Sequence, residues 1–381
     1  MNRSEIKVVV AIDSLKGSIS SKNAAISIEK GIKKVLKGAI VKKITIADGG
    51  EGTVEAVVES TKGEYKTLEV CGPFGKKVNA KIGILKDDII VMEMAESSGL
   101  NLVPKEKLNP HIATTYGVGE MLKYALDMKA KKIYIGLGGS ATSDGGAGML
   151  NALGVKFYDS LKEEIGSTPK ELSALEFVDF SNLDKRLKDT EICILSDVNN
   201  PLCGKNGAAY IYGPQKGATP EDVIVLDKIL KRYSEKIDGI LGVENAEKPG
   251  SGAAGGLGYA LLALCGGTFS QGIEEILKIA DFESEISDAN LVITGEGRID
   301  NQSINGKAPV GIAKLSKKHG KPVIAIVGSS SLELDKIYES GIDLVLDIVN
   351  EPMALEKAMT NVEKLLEFTA EKAMRAYLLN R

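Results

Sequence analysis

Short β-branched apolar runs alternate along the chain with longer amphipathic stretches, and that alternation predicts most of its elements. Ile6–Ile12 (IKVVVAI) is continuously apolar, the pattern of a strand buried on both faces. After the polar DSLKGSISS, apolar residues recur at helical spacing from Ser21 through Ala24, Ala25, Ile28, Ile32 and Leu36, with Gly38 placed to end the helix. VKKITI predicts a second strand, ADGGEGT its exit loop, and Thr53 the start of a second helix. Toward the C-terminus NLVIT, PVIAIV and DLVLDIV read as strands. Pro309 to about His319 and Leu332–Ser340 read as the helices between them, and Pro352 opens a last long helix. Alternating strand and helix implies a parallel sheet covered by helices.

The middle of the chain breaks this rhythm. KTLEVCGPF, VNAKIGIL and DIIVMEMA follow one another with short turns, which predicts antiparallel or mixed pairing. TTYGVGEMLKYALDM predicts a helix leading into the strand KIYIG; EICILSD is a further strand and GYALLALC a buried helix. The expected fold is therefore two α/β domains. A Rossmann-like domain with a parallel sheet is built from both chain ends, 1–66 plus 285–381, and a mixed α/β domain, 67–284, is inserted into it. In open parallel sheets, ligands bind beyond the carboxyl ends of the strands.

Composition sharpens this at three points. The 381 residues are long for one domain and carry a net charge of −4 with no basic patch, which argues against a nucleic-acid partner. Cys71, Cys193, Cys203 and Cys265 form no C-x-x-C pair and the histidines are His111 and His319 alone, which argues against structural zinc. With no signal-peptide pattern and no apolar run of the ~20 residues that span a bilayer, a cytoplasmic protein without a membrane partner is expected. Glycine is the outlier: 42 of 381 residues, about 11%, against a usual ~7%. The glycines cluster after strand patterns, where backbone turns tightly or approaches a ligand.

Five loops share that position: Asp13–Ser18, Asp48–Thr53, Gly136–Gly146, Ser196–Asn200, and Gly295–Asp300 with Lys307 beyond. The first, second and last are expected to converge on one sheet edge. Each has an ordinary structural reading, since glycine after a strand often only turns the chain and a lone Asp often caps a helix. Together they supply acids, Lys, Arg and Gly-Ser loops, the mixture that phosphoryl transfer uses. Backbone N–H groups and cations neutralise phosphate oxygens, carboxylates hold Mg²⁺, and one Asp takes the proton of the attacking hydroxyl.

The sequence resembles the glycerate kinase family of the bacterial glycerate 2-kinase type almost end to end. Its marks are DSLKGS, ADGGEGT, MAESSGL, NP…TTYGVGE, GLGGSATSDGGAGML, DVNNPL, GPQKGAT, GAAGGLG and TGEGRIDNQSINGKAP, in the family's order. The resemblance implies ATP- and Mg²⁺-dependent phosphorylation of D-glycerate, with 2-phosphoglycerate favoured over 3-phosphoglycerate, by a two-domain enzyme: a flavodoxin-like domain from both chain ends, a second α/β domain between them, and the active site in the interdomain cleft. Ile12 and Leu15 stand where the family often has Pro and Phe, and Asn199 is neutral where many members carry Asp or Thr, which leaves Asp197 as the carboxylate of its loop.

Residue chemistry then suggests roles. Asp197, Asp300 and Lys16 are the catalytic candidates, with Asp197 the first choice of general base and Asp300 the second. Arg298, Asp13, Asp48 and Asn200 are assigned to substrate; the planar fork of Arg298 suits the glycerate carboxylate, with phosphate its rival partner. Gly138, Gly139, Ser140, Ser18 and Lys307 are assigned to the nucleotide phosphates, and Glu296 and Asp300 to the metal. A homodimer is left open. A Rossmann dehydrogenase is disfavoured because DSLKGS is not G-x-G-x-x-G. A non-catalytic glycerate or nucleotide sensor on a kinase fold is the alternative, although this chain keeps the acids and has no spare basic segment.

Overall fold

Five apolar runs lie side by side in one parallel sheet, in the order Leu344–Asp347, Val323–Val327, Leu291–Gly295, Lys7–Ile12, Ile40–Thr45. The computed structural model describes residues 6–47, 49–304 and 306–379, Gln302 by its backbone alone. The three inner strands are buried almost throughout, as continuous Val/Ile runs require in a sheet covered on both faces. The register pairs Ile12 with Gly295, and the Asp13 N–H donates to the Gly295 carbonyl at 3.0 Å. The loops beginning at Asp13 and Glu296 therefore leave the carboxyl edge of this sheet next to each other.

Helix Ser21–Val35 starts where the Ser20 hydroxyl accepts the Asn23 N–H. It buries Ala24, Ala25, Ile28, Gly31 and Ile32 and packs on the C-terminal helix. That C-terminal helix is not the single rod expected from Pro352. It is two helices, Leu355–Thr360 and Val362–Tyr377, parted at Asn361, whose side-chain amide donates back to the Lys357 carbonyl at 2.9 Å. An Asn that satisfies backbone locally competes with helix continuation, which apolar spacing alone does not reveal.

A second sheet has six strands in the order Thr268–Ser270, Glu191–Leu195, Lys132–Gly136, Ile89–Glu93, Lys77–Ile84, Glu64–Cys71. The first four are parallel neighbours and the last two join antiparallel, which is the mixed pairing that short turns predict. Its core runs from Val70 to Cys265, with helix Tyr116–Asp127 and the apolar helix that ends at Leu264 among its covers. The chain divides into two compact units. One comprises Met1–Asp48, Glu55–Lys62 and Gln271–Arg381, the other Gly49–Val54 and Gly63–Ser270. The short piece Gly49–Val54 thus belongs with the second sheet, not with the strand it follows.

Gly31 marks the tightest helix crossing in the first unit. A Cβ there would lie 2.1 Å from the Glu367 carbonyl oxygen and 2.7 Å from the Ala370 methyl. Gly31→Ala gains helix propensity worth at most ~1 kcal/mol, yet overpacking costs roughly 1–3 kcal/mol and backbone oxygen yields little. Denaturant unfolding of Gly31→Ala should therefore show a net loss of stability; an unchanged or higher midpoint contradicts this packing.

Candidate active site

The strand Lys132–Gly136 hands the chain directly to the glycine loop, and four other segments of the second unit close around it. Ser140 forms a bridge with Gly99; Leu100 N–H donates to Gly139 O at 2.8 Å and Ala141 N–H to Ser98 O at 2.9 Å. A Cβ at Gly138 would lie 2.6 Å from Gly50 Cα, and one at Gly136 would lie 2.7 Å from Gly49 O. Gly146 abuts Ala260 and Gly148 abuts Thr114 just as tightly. Most of these glycines are therefore small because other backbone packs on them. Gly139 differs: it is exposed, has φ +75°, and a Cβ there would meet nothing nearer than 3.5 Å.

Asp144 holds the turn from inside. Fully buried, its carboxylate accepts the Thr115 N–H at 2.7 Å, the Thr115 hydroxyl at 2.8 Å, and the N–H groups of Gly146 and Gly148 at 3.1 and 3.2 Å. Burial pushes its carboxyl above the usual range, and these donors pull it back. The Thr142 carbonyl accepts Lys216 Nζ at 2.5 Å, and Lys216 is itself buried. Loop carbonyls are thus engaged inward. The N–H groups of Gly138, Gly139, Ser140, Thr142 and Ser143 donate to no acceptor among the described residues. The hydroxyls of Thr142 and Ser143 are buried and unpartnered as well. Rows of free donors with their carbonyls turned away are how a backbone receives an oxyanion.

Glu93 ends the neighbouring strand and anchors Gly49–Val54. Its carboxylate accepts the Val54 N–H at 2.7 Å and the Gly52 N–H at 3.2 Å. Asp48, just ahead of this segment, lies outside the described residues. The next loop carries Asp197, half-buried, and Asn199, exposed. Asn200 is engaged at both ends of its amide, donating to Asn206 O at 2.8 Å and accepting the Tyr212 hydroxyl at 2.8 Å. Its side chain orders this loop.

In the first unit, Asp13 is buried and its carboxylate accepts the Ser14 N–H at 2.6 Å. Lys16 is exposed, and the Ser18 hydroxyl donates to Met359 O at 3.1 Å. Beside them Glu296 is buried and pairs with Lys307 at 2.9 Å; Lys307 also donates to Arg298 O at 3.3 Å. Burial raises the Glu296 carboxyl, while Lys307 and the nearby Ser303 hydroxyl lower it. Glu296 Oε1 is buried and makes no hydrogen bond of ordinary geometry among the described residues. Arg298 is held by a short parallel pairing of Arg298–Ile299 with Ser329–Ser330, leaves its guanidinium exposed, and lies 3.5 Å from Asp300. Asp300 is in turn fixed by Ser303, whose hydroxyl accepts the Asp300 N–H at 3.2 Å. Glu296, Arg298, Asp300 and Lys307 thus form one polar cluster.

Sequence reasoning passed over Glu93, Lys216 and the buried role of Asp144. Lys216 and Asp144 lie inside motifs quoted above, and Glu93 stands just ahead of MAESSGL, but only burial distinguishes them from solvated charges.

Comparison with known proteins places this geometry. A family model described as the glycerate kinase family matches residues 8–378. A protein of Bacillus subtilis strain 168 named glycerate kinase is 45% identical over 366 residues, covering 96% of each chain. One of Escherichia coli K12 named glycerate 2-kinase is 46% identical over 354 residues, covering 93% of each. A crystal structure titled as a putative glycerate kinase 2 from Salmonella typhimurium LT2 superposes with a TM-score of 0.85 at 43% identity, covering 98% of both chains.

Glu93 gives the site a pH signature. Burial raises its carboxyl from 4.5 to about 7 against the pull of the Val54 and Gly52 N–H groups. A carboxyl that holds its proton more tightly when folded favours the folded state at low pH, and that advantage is lost as pH rises through about 7. Unfolding curves between pH 4.5 and 8 should therefore show the wild type losing up to about 3 kcal/mol relative to Glu93→Gln. Parallel pH profiles in the two proteins contradict this.

Proposed function

This chain belongs to the glycerate kinase family, and from that premise we propose that it transfers the γ-phosphoryl group of ATP to a hydroxyl of D-glycerate with Mg²⁺. The products are ADP and phosphoglycerate, with 2-phosphoglycerate favoured, in line with the name of the E. coli relative. The observation that carries the reading is that the N–H groups of Gly138, Gly139, Ser140, Thr142 and Ser143 have no acceptor among the described residues. Such donors match phosphate oxygens, and they stand fixed before any ligand arrives. No described helix is long and apolar enough to cross a membrane, and the reading places the enzyme in the cytoplasm.

In this reading Gly138, Gly139 and Ser140 of the second unit bind phosphate, and Lys16, Ser18 and Lys307 are the phosphate-binding and catalytic candidates of the first unit. Lys307 is already oriented by Glu296. Arg298 takes the glycerate carboxylate through its exposed guanidinium, steadied by Asp300. Asp197 accepts the proton of the attacking hydroxyl, with Asp300 as second choice; Asp13 and Asp48 position substrate, and Asn200 keeps the Asp197 loop in shape. Glu296 and Asp300 fit a metal carried with the nucleotide. Mg²⁺ is commonly held by one or two carboxylates plus phosphate oxygens and water, and Glu296 keeps one buried oxygen without a hydrogen bond. An ion held there would neutralise negative charge on the phosphate oxygens during transfer.

ADP release measured with and without D-glycerate tests the activity, and ³¹P NMR of the product identifies the acceptor hydroxyl. Glycerate-dependent ADP release is expected; its absence in folded protein contradicts the reading. Asp197→Asn should lower kcat by roughly 10²–10⁴ with folding intact, the range of a lost general base. A near-normal kcat removes Asp197 from that role. Arg298→Ala should raise KM for glycerate more than KM for ATP, whereas equal rises favour the rival phosphate assignment.

A further inference from the structure

Lys216 lies behind the glycine loop, and folding alone does not call for its charge. It is 1% exposed, ends a short turn at Pro214–Lys216, and donates to the Thr142 carbonyl at 2.5 Å. It makes no ion pair within 4.0 Å and no other hydrogen bond among the described residues. Asp144 acts on it electrostatically, but that carboxylate is already engaged with Thr115, Gly146 and Gly148. An ammonium held by one acceptor in a dry interior costs more than an apolar side chain of similar size. Its use lies in what it holds.

What it holds is the orientation of one peptide. In a planar trans peptide the carbonyl and the following N–H point in opposite directions. With Thr142 O turned onto Lys216, the Ser143 N–H points the other way, and it is one of the unpaired donors. The GAAGG segment packs on the same side as the lysine: a Cβ on Gly255 would lie 2.0 Å from Thr142 O and 2.9 Å from Lys216 Nζ. Gly145 N–H donates to Gly255 O at 3.0 Å, so this segment also ties the loop just past the peptide. The Thr142 and Ser143 hydroxyls stand buried and unpartnered at the same place.

We propose that Lys216 is a positioning residue for phosphoryl transfer: it sets the Thr142–Ser143 peptide with its N–H toward the nucleotide phosphates and fixes a positive charge behind them. The inference rests on the reading that the glycine loop receives those phosphates. Burial lowers this ammonium to about 7 even with the Asp144 charge opposing it, so a bound anion nearby draws it toward the charged form.

Lys216→Met keeps an unbranched side chain one atom shorter and removes its charge and donors. The expected result is a rise of about tenfold or more in KM for ATP and in the dissociation constant for ADP by calorimetry, with KM for glycerate within about twofold, the split of a group that acts on one substrate. Unchanged nucleotide parameters overturn the proposal. So do equal rises for both substrates, which mark a general loosening of the unit. Should Lys216→Met fail to fold, the wild type decides by NMR of ¹³Cε-labelled lysine. The Lys216 signal, identified as the one resistant to reductive methylation, should shift on saturation with ADP and stay put with glycerate alone. A signal indifferent to ADP overturns the proposal. The activity reading is judged separately, because glycerate-dependent ADP release by the wild type does not depend on Lys216→Met.

Discussion

Backbone-to-backbone contact around the glycine loop is the constraint on which the second unit depends. Gly49–Val54, Ser98–Leu100, Thr114–Thr115 and the Ala254–Gly256 turn all approach a loop that has no room for side chains at Gly136, Gly138, Gly145, Gly146 and Gly148. Ala254, Gly255 and Gly256 adopt left-handed backbone in succession to make that approach. Asp144 supplies the counterpart, one buried carboxylate that gathers donors from two segments and leaves the loop a single way to turn. Five of the family's sequence motifs are thereby explained by one packing problem.

The functional consequence follows from which groups that packing consumes. It takes up the Gly139 and Thr142 carbonyls and leaves the N–H groups of Gly138, Gly139, Ser140, Thr142 and Ser143 without an acceptor among the described residues. Donors fixed by a rigid interior need no reorganisation when charge arrives, which is the source of most electrostatic stabilisation in enzymes. The first unit follows a related logic with side chains. Register between Lys7–Ile12 and Leu291–Gly295 brings the Asp13 and Glu296 loops to adjacent strand ends, and the Glu296–Lys307 pair orients a cation there.

Much of this was legible in the sequence. Continuous Val/Ile runs located the parallel strands, short turns located the antiparallel pair, and the ordered motifs pointed to the glycerate kinase family. Glycine content was ambiguous in a specific way: Gly146 and Gly148 are packed by protein, and Gly139 is the position left open to solvent. Nothing in local pattern separates those cases, because they depend on segments far away in the chain. The same holds for Lys216 and Glu93, whose burial is a tertiary property, and for the bonds of the Asn200 amide to Asn206 O and the Tyr212 hydroxyl. The second loop was expected beside the first on one sheet edge. Its Gly49–Val54 portion belongs with the other sheet instead, because Glu93 captures its N–H groups.

The central claim is that the N–H groups of Gly138, Gly139, Ser140 and Ser143, which have no acceptor among the described residues, receive the nucleotide phosphates. Amide hydrogen exchange resolved at these positions, in the free protein and with saturating Mg²⁺–ADP, tests it most directly. The account predicts slowed exchange at Gly138, Gly139, Ser140 and Ser143 with nucleotide and little change there with glycerate alone. Nucleotide binding that leaves these amides exchanging as in the free protein contradicts it.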